Sequence, residues 1–296
     1  MTLTIRLGMA NGTIPAHPAD ITDELIASWQ EQQISVLATS FGVRALELTS
    51  RERTSLRGRL DAAGVAIVQF AGVNANLAHP DAEVRREALR RAREFAPVAA
   101  ELGAERIISG CGTVSPEWQT HFYAPHPANH TPATEAWLVD GLAQVGEIVA
   151  REGIGWSVEC HQLTTMRSPE AIRRVLDIVD SPAVQANFDP VNLLDSAHAV
   201  YRNAELTPAM LDTMGSRLAD TIHVKDVVLG TPLVCHIDEA VPGEGQLDFG
   251  ALFDAIHERG GPTRLIIEHL PPEQTRTAIA WVRQKIAQHG LVVAEP

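Results

Sequence analysis

The sequence predicts a closed (β/α)8 barrel formed by one domain over residues 1–296. Eight short runs rich in Val, Ile and Leu alternate with eight segments of helical spacing, at a period of roughly 30 to 45 residues. Eight alternating units favour a closed parallel barrel over an open sheet. An open doubly wound sheet usually carries a Gly-rich phosphate loop after its first strand, and this chain has none there. No change of composition divides the chain, and α/β barrels commonly reach this length as one domain.

Eight apolar or β-branched runs are predicted as strands, because each is short and is bounded by polar or turn-forming residues. The first begins at Thr2 and leads into a flexible loop over residues 8–12. The third is a compact β-branched run. The predicted strands are residues 2–7, 43–48, 65–70, 105–109, 154–159, 184–189, 218–225 and 264–268.

A helix is predicted after each strand, because helical spacing fills the intervening segments. Thr22 or Asp20 can cap the first helix, and Gly64 and Gly103 follow two helices at positions where glycine commonly ends a helix. The helical material after the sixth strand is predicted to break around Pro208. The predicted helices are residues 21–33, 52–63, 81–102, 132–152, 168–179, 193–214, 247–259 and 271–289.

Charge and cysteine content narrow the class of protein. The chain carries 24 Lys plus Arg against 37 Asp plus Glu, a formal net charge of −13. So acidic a chain repels a phosphate backbone, and we expect no nucleic-acid partner. Three widely spaced cysteines without a C-x-x-C pair predict a reduced, cytoplasmic protein. The N-terminal residues lack the apolar run of a signal peptide, and no segment reaches transmembrane length, so we expect no membrane partner.

Four consecutive predicted strands end in residues that bind metal ions, namely Glu159, Asp189, His223 and Glu268, here called the strand-end cluster. The carboxyl ends of parallel barrel strands meet at one mouth, so these side chains should converge. Three converging carboxylates imply either a cation or a shared proton, and the repetition over four units favours the cation. The set suits one divalent metal with open positions for substrate oxygens, in the first place Mn²⁺, with Mg²⁺, Co²⁺ or Zn²⁺ as alternatives.

Other polar residues are predicted near this mouth. Strand alternation places His161 on the face of Glu159 and Lys225 on the face of His223. His161 is a candidate acid, with a hydrogen bond at the rim as the alternative. Lys225 is suited to polarise a carbonyl or bind an oxyanion, with a salt bridge as the alternative. The long segment 114–131 is a candidate lid. Further substrate-contact candidates are His236, Arg167, Glu47 and the histidines of residues 121–130.

Five stretches form a set whose order and spacing extend over nearly the whole chain: Val158-Glu159, Asn187-Phe188-Asp189-Pro190, His223-Val224-Lys225-Asp226, Pro242-Gly243-Glu244-Gly245 and Ile266-Ile267-Glu268. The set resembles the xylose isomerase-like TIM barrel superfamily, in the sugar phosphate isomerase/epimerase branch that includes D-tagatose 3-epimerase-like enzymes, inosose dehydratase and, more distantly, endonuclease IV. The resemblance implies that the strand-end cluster holds one divalent metal. It also implies that Glu159 and Glu268 face a sugar from opposite sides and move protons through a metal-stabilised enediolate.

Two positions distinguish this chain within that branch. Epimerases and endonuclease IV generally have a His three residues after the strand-six Asp, where this chain has Asn192. The difference, together with the acidic net charge, argues against phosphodiester cleavage and against simple D-tagatose-type epimerisation. It also makes Asn192 a substrate-contact candidate. Lys225 is similar to the lysine of inosose dehydratase-like members, which expel a β-hydroxyl as water. Those members use the same kind of enolate.

We therefore predict a metal-dependent isomerase or epimerase of carbohydrate metabolism that acts on a keto-sugar or polyol. Dehydration or β-elimination of a keto-sugar, an inosose or a keto-glycoside is the alternative reaction. A catalytically inactive sugar-binding barrel subunit is the alternative of another class. The mouth candidates offer few basic side chains (Lys225, Arg167 and Arg264), which favours an unphosphorylated substrate. The resemblance also implies a homo-oligomer.

Overall fold

Eight parallel strands close into a barrel in the computed structural model, which describes residues 3–231 and 233–296. The barrel closes where its last strand pairs with its first, with Arg6 opposite Arg264 and Met9 opposite Ile267. The predicted (β/α)8 fold is therefore confirmed. In order around the barrel the strands are β1 (Thr4–Ala10), β2 (Val36–Thr39), β3 (Ala66–Phe70), β4 (Arg106–Gly110), β5 (Gly155–Glu159), β6 (Val184–Phe188), β7 (Leu218–Val224) and β10 (Arg264–Ile267).

Three features extend the simple alternation of strands and helices. Two helices follow β6, and an antiparallel hairpin of β8 (Asp226–Leu229) and β9 (Ile237–Ala240) follows β7. A short strand, β11 (Val292–Val293), pairs with β1. None of the described helices is long and apolar enough to cross a membrane. The helices are α1 (Asp23–Glu31), α2 (Ser50–Ala62), α3 (Ala82–Glu101), α4 (Pro132–Arg151), α5 (Pro169–Val179), α6 (Ala197–Tyr201), α7 (Asn203–Met214), α8 (Phe249–Arg259) and α9 (Pro272–Gln288).

Side-chain caps set where several helices begin. Thr22 accepts a hydrogen bond from the Leu25 amide at 3.2 Å and caps α1. Of the two predicted caps, Thr22 and Asp20, the structure therefore has Thr22. Thr49 and Glu52 form a reciprocal capping box at the start of α2. Ser168 caps α5, and Pro169 occupies the first helical position, where a proline loses no helix hydrogen bond. Local chemistry therefore fixes these boundaries.

The prediction for the second strand is wrong. Residues 43–48 mostly belong to a 3-10 helix (Gly42–Glu47), and β2 lies earlier, at Val36–Thr39. All four residues of β2 are buried between β1 and β3. The pairing requires a close approach at Gly8, where a Cβ atom would lie 1.7 Å from the carbonyl oxygen of Val36. Pairing with β2 extends β1 to Ala10, into the loop predicted over residues 8–12. The predicted start of the first strand at Thr2 lies outside the described residues.

Two further predictions need correction. The helical segment after β6 breaks at Arg202, whereas Pro208 lies inside α7. The cause of the break is Asn203, whose side chain donates to the carbonyls of Val200 (2.6 Å) and Gln246 (2.8 Å) and accepts from the Asp248 amide. The predicted loop 230–246 also contains β9, because residues 237–240 pair with β8.

A β-bulge turns a polar residue into the barrel. The register between β2 and β3 shifts, so that Leu37 pairs with Ile67 but Ala38 pairs with Gln69, and Val68 is the extra residue. Val68 packs with Val36, Ala38 and Ile266 in a small apolar cluster separate from the main core. Gln69 is fully buried and reaches side chains on β6 and β7. Bulges often redirect a side chain in this way beside an active site.

Candidate metal centre and active site

The strand-end cluster converges at the carboxyl-terminal mouth of the barrel. One donor atom from each of Glu159, Asp189, His223 and Glu268 lies within 4.8 Å of the corresponding atom of every other member. Glu159 is the last residue of β5, Asp189 and Glu268 directly follow β6 and β10, and His223 lies near the end of β7. Four neighbouring strands thus supply the set, as the positions of these residues predict.

Several of these donor atoms are buried and make no aligned hydrogen bond with a described residue: Asp189 Oδ2, His223 Nδ1 and Glu268 Oε1. The Lys225 ammonium lies 2.9 Å from the first and 3.0 Å from the last, as a charge contact. Charged neighbours are close, since His223 Nδ1 lies 2.8 Å from Glu268 Oε2 and 3.5 Å from Glu159 Oε1. However, His223 Nδ1 makes no aligned hydrogen bond with either carboxylate. Buried polar atoms are normally satisfied. Hard oxygen donors plus one imidazole nitrogen suit a divalent cation, so the residues present fit such an ion.

Gln69 fixes the orientation of His223. The Oε1 atom of Gln69 lies 2.8 Å from His223 Nε2, and Gln69 Nε2 donates to Asn187 Oδ1 at 2.8 Å. Because a glutamine oxygen only accepts, the imidazole proton belongs on Nε2, and Nδ1 is left to face the carboxylates. The hydrogen bonds from Asn187 through Gln69 to His223 therefore leave Nδ1 as the nitrogen that could face a cation.

Lys225 supplies a positive charge next to the cluster. Its ammonium lies 2.9 Å from Asp189 Oδ2, 3.0 Å from Glu268 Oε1 and 2.6 Å from Glu239 Oε1, and only 2% of the residue is exposed. The lysine follows β7 directly, and Glu239 lies on β9. The salt bridge that the sequence left as an alternative for Lys225 is thus present, and it involves two members of the strand-end cluster.

Burial and mutual charge shift the pKa values of this cluster. Burial raises the pKa of Asp189 to about 7, although Lys225 opposes the shift. Burial disfavours a charged His223, but the carboxylates of Glu268 and Glu159 outweigh it and raise the pKa of His223 to about 10. Burial also opposes ionisation of Glu268, yet His223 and Lys225 hold the pKa of that carboxyl well below its usual range. Without a metal, a protonated His223 and Lys225 therefore offset part of the negative charge of the carboxylates.

Glu159 is held by residues on its own side of the mouth. The Tyr123 hydroxyl donates to Glu159 Oε2 at 3.1 Å, and Asn192 Nδ2 lies 3.4 Å from Glu159 Oε1. His161 stacks on the Tyr123 ring at 5.1 Å between centroids. Burial, then the Glu159 charge, raises the pKa of Tyr123, so the phenol keeps its proton. The His161 Nδ1 atom accepts from the Leu163 amide at 3.2 Å.

Buried hydrogen bonds anchor the segment 114–131, which contains Tyr123. The Asn129 Oδ1 atom accepts from the Thr113 hydroxyl (3.0 Å) and from the Val114 amide (2.9 Å), and Asn129 Nδ2 donates to the Leu163 carbonyl at 2.9 Å. Asn76 makes two more bonds with the backbone of Thr113. The predicted lid is therefore tied down at both ends, which presents Tyr123 to Glu159 in a fixed position.

A cavity of about 480 Å³ opens on the Glu268 side of the mouth, where Lys225 and Glu239 also line it. His269 borders the cavity, and its Nδ1 atom lies 2.8 Å from Glu239 Oε2. The backbone of His269 is left-handed (φ 59°), a strained conformation for a residue other than glycine. Such strain is often found at functional sites.

The remaining predicted residues make their recorded contacts outside the strand-end cluster. Glu47 pairs with His17 at 3.2 Å, Arg167 is exposed in the loop before α5, and His236 is exposed just before β9. His121 and His126 are exposed, and His126 caps a short 3-10 helix. Arg264, predicted near the mouth, begins β10 at the opposite end of the barrel, where it pairs with Glu105 at 3.0 Å.

Four residues of the site escaped the sequence analysis: Gln69, Tyr123, Glu239 and His269. A signal existed for Gln69, the one polar residue in the run Ala66-Ile67-Val68-Gln69-Phe70. His269 directly follows Glu268. Tyr123 and Glu239 depend on how a long segment and a hairpin fold back over the mouth, which local pattern does not reveal.

Fold and site together define a (β/α)8 barrel with a divalent-cation donor set at its mouth. The family model described as "Xylose isomerase-like TIM barrel" matches residues 30–285. The chain belongs to this family, and the expected superfamily is thereby confirmed.

Known proteins resemble the chain over most of its length. It is 24% identical over 278 residues to inosose dehydratase of Geobacillus thermodenitrificans, with 88% of this chain and 87% of that protein covered. Among solved structures, 3-keto-D-glucoside 4-epimerase from E. coli superposes with a TM-score of 0.71 at 16% identity, covering 95% and 100% of the two chains. A xylose isomerase-like TIM barrel protein from Mycobacterium smegmatis, in complex with magnesium, gives a TM-score of 0.69 at 17% identity, covering 97% and 98%.

Proposed function

We propose that the protein is a divalent-metal-dependent isomerase or epimerase that acts on a keto-sugar or polyol. The observation that carries the proposal is the convergence of the four donor atoms within 4.8 Å. A bound divalent cation, in the first place Mn²⁺, would polarise the substrate carbonyl and neutralise the charge that develops on its oxygen. The magnesium complex of the relative from Mycobacterium smegmatis supports a divalent ion of this kind.

In this proposal Glu159 and Glu268 move the protons. Glu159 ends β5 and Glu268 directly follows β10, with β6 and β7 between these strands, so the two side chains enter the mouth from different directions. Glu159 takes a proton from the carbon next to the carbonyl, because Tyr123 and Asn192 donate to its two oxygens and orient the carboxylate. Glu268 exchanges a proton at the opposite face or at the neighbouring carbon. His161, stacked on Tyr123, is the candidate acid that exchanges a proton with a substrate hydroxyl.

The second candidate reaction is β-elimination, in which a β-hydroxyl or glycosidic oxygen leaves after the same proton abstraction. Two observations favour it. Lys225 provides a buried ammonium beside Asp189 and Glu268, which suits charge developing on an oxygen. Inosose dehydratase, a dehydratase by name, is 24% identical to this chain. The two reactions share their first step and differ in the fate of the carbanion.

Solvent deuterium exchange tests that shared step. The Mn²⁺-loaded protein is incubated in D2O with ketohexoses, inososes and 3-keto-glycosides, and 1H NMR follows loss of the proton next to the carbonyl. We expect exchange with at least one substrate class, and a loss of about 100-fold or more in Glu159→Gln and Glu268→Gln. Glu170→Gln, an exposed change on α5, serves as the matched control.

The products in the same spectra distinguish the candidates. A new diastereomer or an aldose indicates isomerisation, whereas an enone or a released alcohol indicates elimination. Absence of exchange from all three classes in the metal-loaded protein would overturn the proposal. The catalytically inactive sugar-binding barrel would then remain.

A further inference from the structure

The cavity beside Lys225 is larger than the metal centre requires. It measures about 480 Å³ and meets the strand-end cluster only at Glu268. Its walls combine apolar surface from Val228, Val241 and Leu270 with polar groups from Glu244 and Gln274. Six of the ten lining residues are polar or charged, more than in a typical apolar small-molecule site, and such a lining suits a hydroxylated ligand.

The wall that carries Glu244 is held rigidly by Asp226. This buried carboxylate accepts hydrogen bonds from the amides of Val227 (2.8 Å), Gly243 (3.0 Å), Gly245 (2.9 Å) and Leu247 (2.8 Å). A Cβ atom on Gly245 would lie 2.3 Å from Asp226 Oδ1, so glycine is required there. The cavity is therefore preformed, and ordering of the loop does not oppose ligand binding.

Acidic side chains outnumber basic ones in the lining of the cavity. Among the described residues that line it, only Lys225 and His269 can carry positive charge. The Lys225 ammonium donates a hydrogen bond to Glu239 Oε1 and lies within 3.0 Å of Asp189 and Glu268, so three carboxylates already surround its single positive charge. His269 Nδ1 is engaged by Glu239. Together with Glu244, these carboxylates would repel a phosphate or a uronate.

The same groups suit a neutral, hydroxylated ring. Glu244 and Gln274 are exposed at the cavity wall. Their oxygens accept hydrogen bonds from hydroxyl groups, and those to a carboxylate are the stronger kind. The side chains of Val241 and Leu270 offer apolar surface for the C–H face of a sugar ring. A unit bound here would adjoin a carbonyl held at the strand-end cluster, because Glu268 borders both spaces.

We infer that this cavity is a subsite for a second, uncharged sugar or polyol unit, so that the substrate is a neutral glycoside rather than a free monosaccharide or a sugar phosphate. The inference rests on the proposed function for the unit at the metal centre. The subsite itself is defined by binding and can be tested without turnover.

Binding of cellobiose, glucose and glucose 6-phosphate to the Mg²⁺-loaded protein tests the subsite by calorimetry or saturation-transfer NMR. We expect cellobiose to bind about tenfold or more tightly than glucose, and glucose 6-phosphate to bind most weakly. Glu244→Ala and Gln274→Ala should each weaken cellobiose binding about fivefold and leave glucose binding within about twofold. Asp238→Ala removes an exposed carboxylate from β9 outside the cavity and should change neither.

A charge reversal provides the second arm of the test. Glu244→Lys should raise the affinity for glucose 6-phosphate relative to cellobiose about tenfold, whereas Asp238→Lys should change this ratio less than about twofold. Equal binding of cellobiose and glucose, or no effect of the Glu244 and Gln274 variants, would overturn the subsite. Deuterium exchange reports separately on the proposed function, so a failure of chemistry and a failure of the subsite are distinguishable.

Discussion

Replacement of Gln69 by leucine removes the group that determines which nitrogen of His223 carries the proton. The Gln69 Oε1 and His223 Nε2 atoms are 2.8 Å apart, and both residues are buried. In Gln69→Leu the Nε2 proton has no acceptor. The imidazole then either keeps an unpaired buried donor or moves its proton to Nδ1, the nitrogen that faces Glu268 and Glu159. Either outcome weakens metal binding.

The size of the effect follows from the role of Gln69 as the hydrogen-bond partner that orients His223. Loss of such an outer partner commonly lowers the metal affinity of a histidine site about 10- to 100-fold. That range corresponds to about 1.4–2.8 kcal/mol.

Competition with a chromophoric chelator measures this affinity, and thermal unfolding of the metal-free protein reports separately on folding. Gln69→Glu is the matched variant, because it keeps an acceptor oxygen next to His223. The Nδ2 atom of Asn187, buried without a hydrogen-bond partner among the described residues, can turn to donate to the new carboxylate. We expect its metal affinity to stay within about threefold of the wild type. Wild-type affinity in Gln69→Leu would refute the assigned role.

Three further predictions concern the cluster and its surroundings. The pKa of His223, raised to about 10, keeps the imidazole protonated in the metal-free protein at pH 7.5. Metal binding should therefore release about one proton, which calorimetry in buffers of different ionisation enthalpy measures. Binding without proton release would contradict His223 as a ligand. Tyr123→Phe removes the hydroxyl that donates to Glu159 and should lower kcat about fivefold with little change in KM. An unchanged kcat would exclude a role of Tyr123 in positioning Glu159. Asp226→Asn weakens the hydrogen bonds from the amides of Gly243 and Gly245 and should lower the free energy of unfolding by about 2–4 kcal/mol in denaturant titration. The exposed change Asp238→Asn should stay within about 0.5 kcal/mol. Equal effects of the two changes would contradict the stabilising role of Asp226.

The convergence of the strand-end cluster was predictable because each member depends on a local pattern. Glu159, Asp189, His223 and Glu268 come at or next to the ends of apolar runs, and parallel strands bring such ends to one mouth. Only the order of the strands is needed to infer that they meet. This inference needs no knowledge of how distant segments pack.

The surrounding residues depend on contacts between distant segments. Gln69 reaches Asn187, which is 118 residues away, and His223, which is 154 residues away, and it does so through a bulge at Val68. The misplaced second strand has the same origin. Residues 43–48 form a short run rich in apolar residues, but Val36–Thr39 fits between β1 and β3 because of the close approach at Gly8.

The metal content of the purified protein tests the central claim most directly. After incubation with Mn²⁺ and removal of excess ion, elemental analysis of the wild type should find about one equivalent, as expected for a single set of four ligands. Glu268→Gln, which removes one carboxylate ligand, should retain much less, while Glu170→Gln should match the wild type. Absence of bound metal from the wild type, or equal content in Glu268→Gln, would contradict a metal centre at the mouth of this barrel.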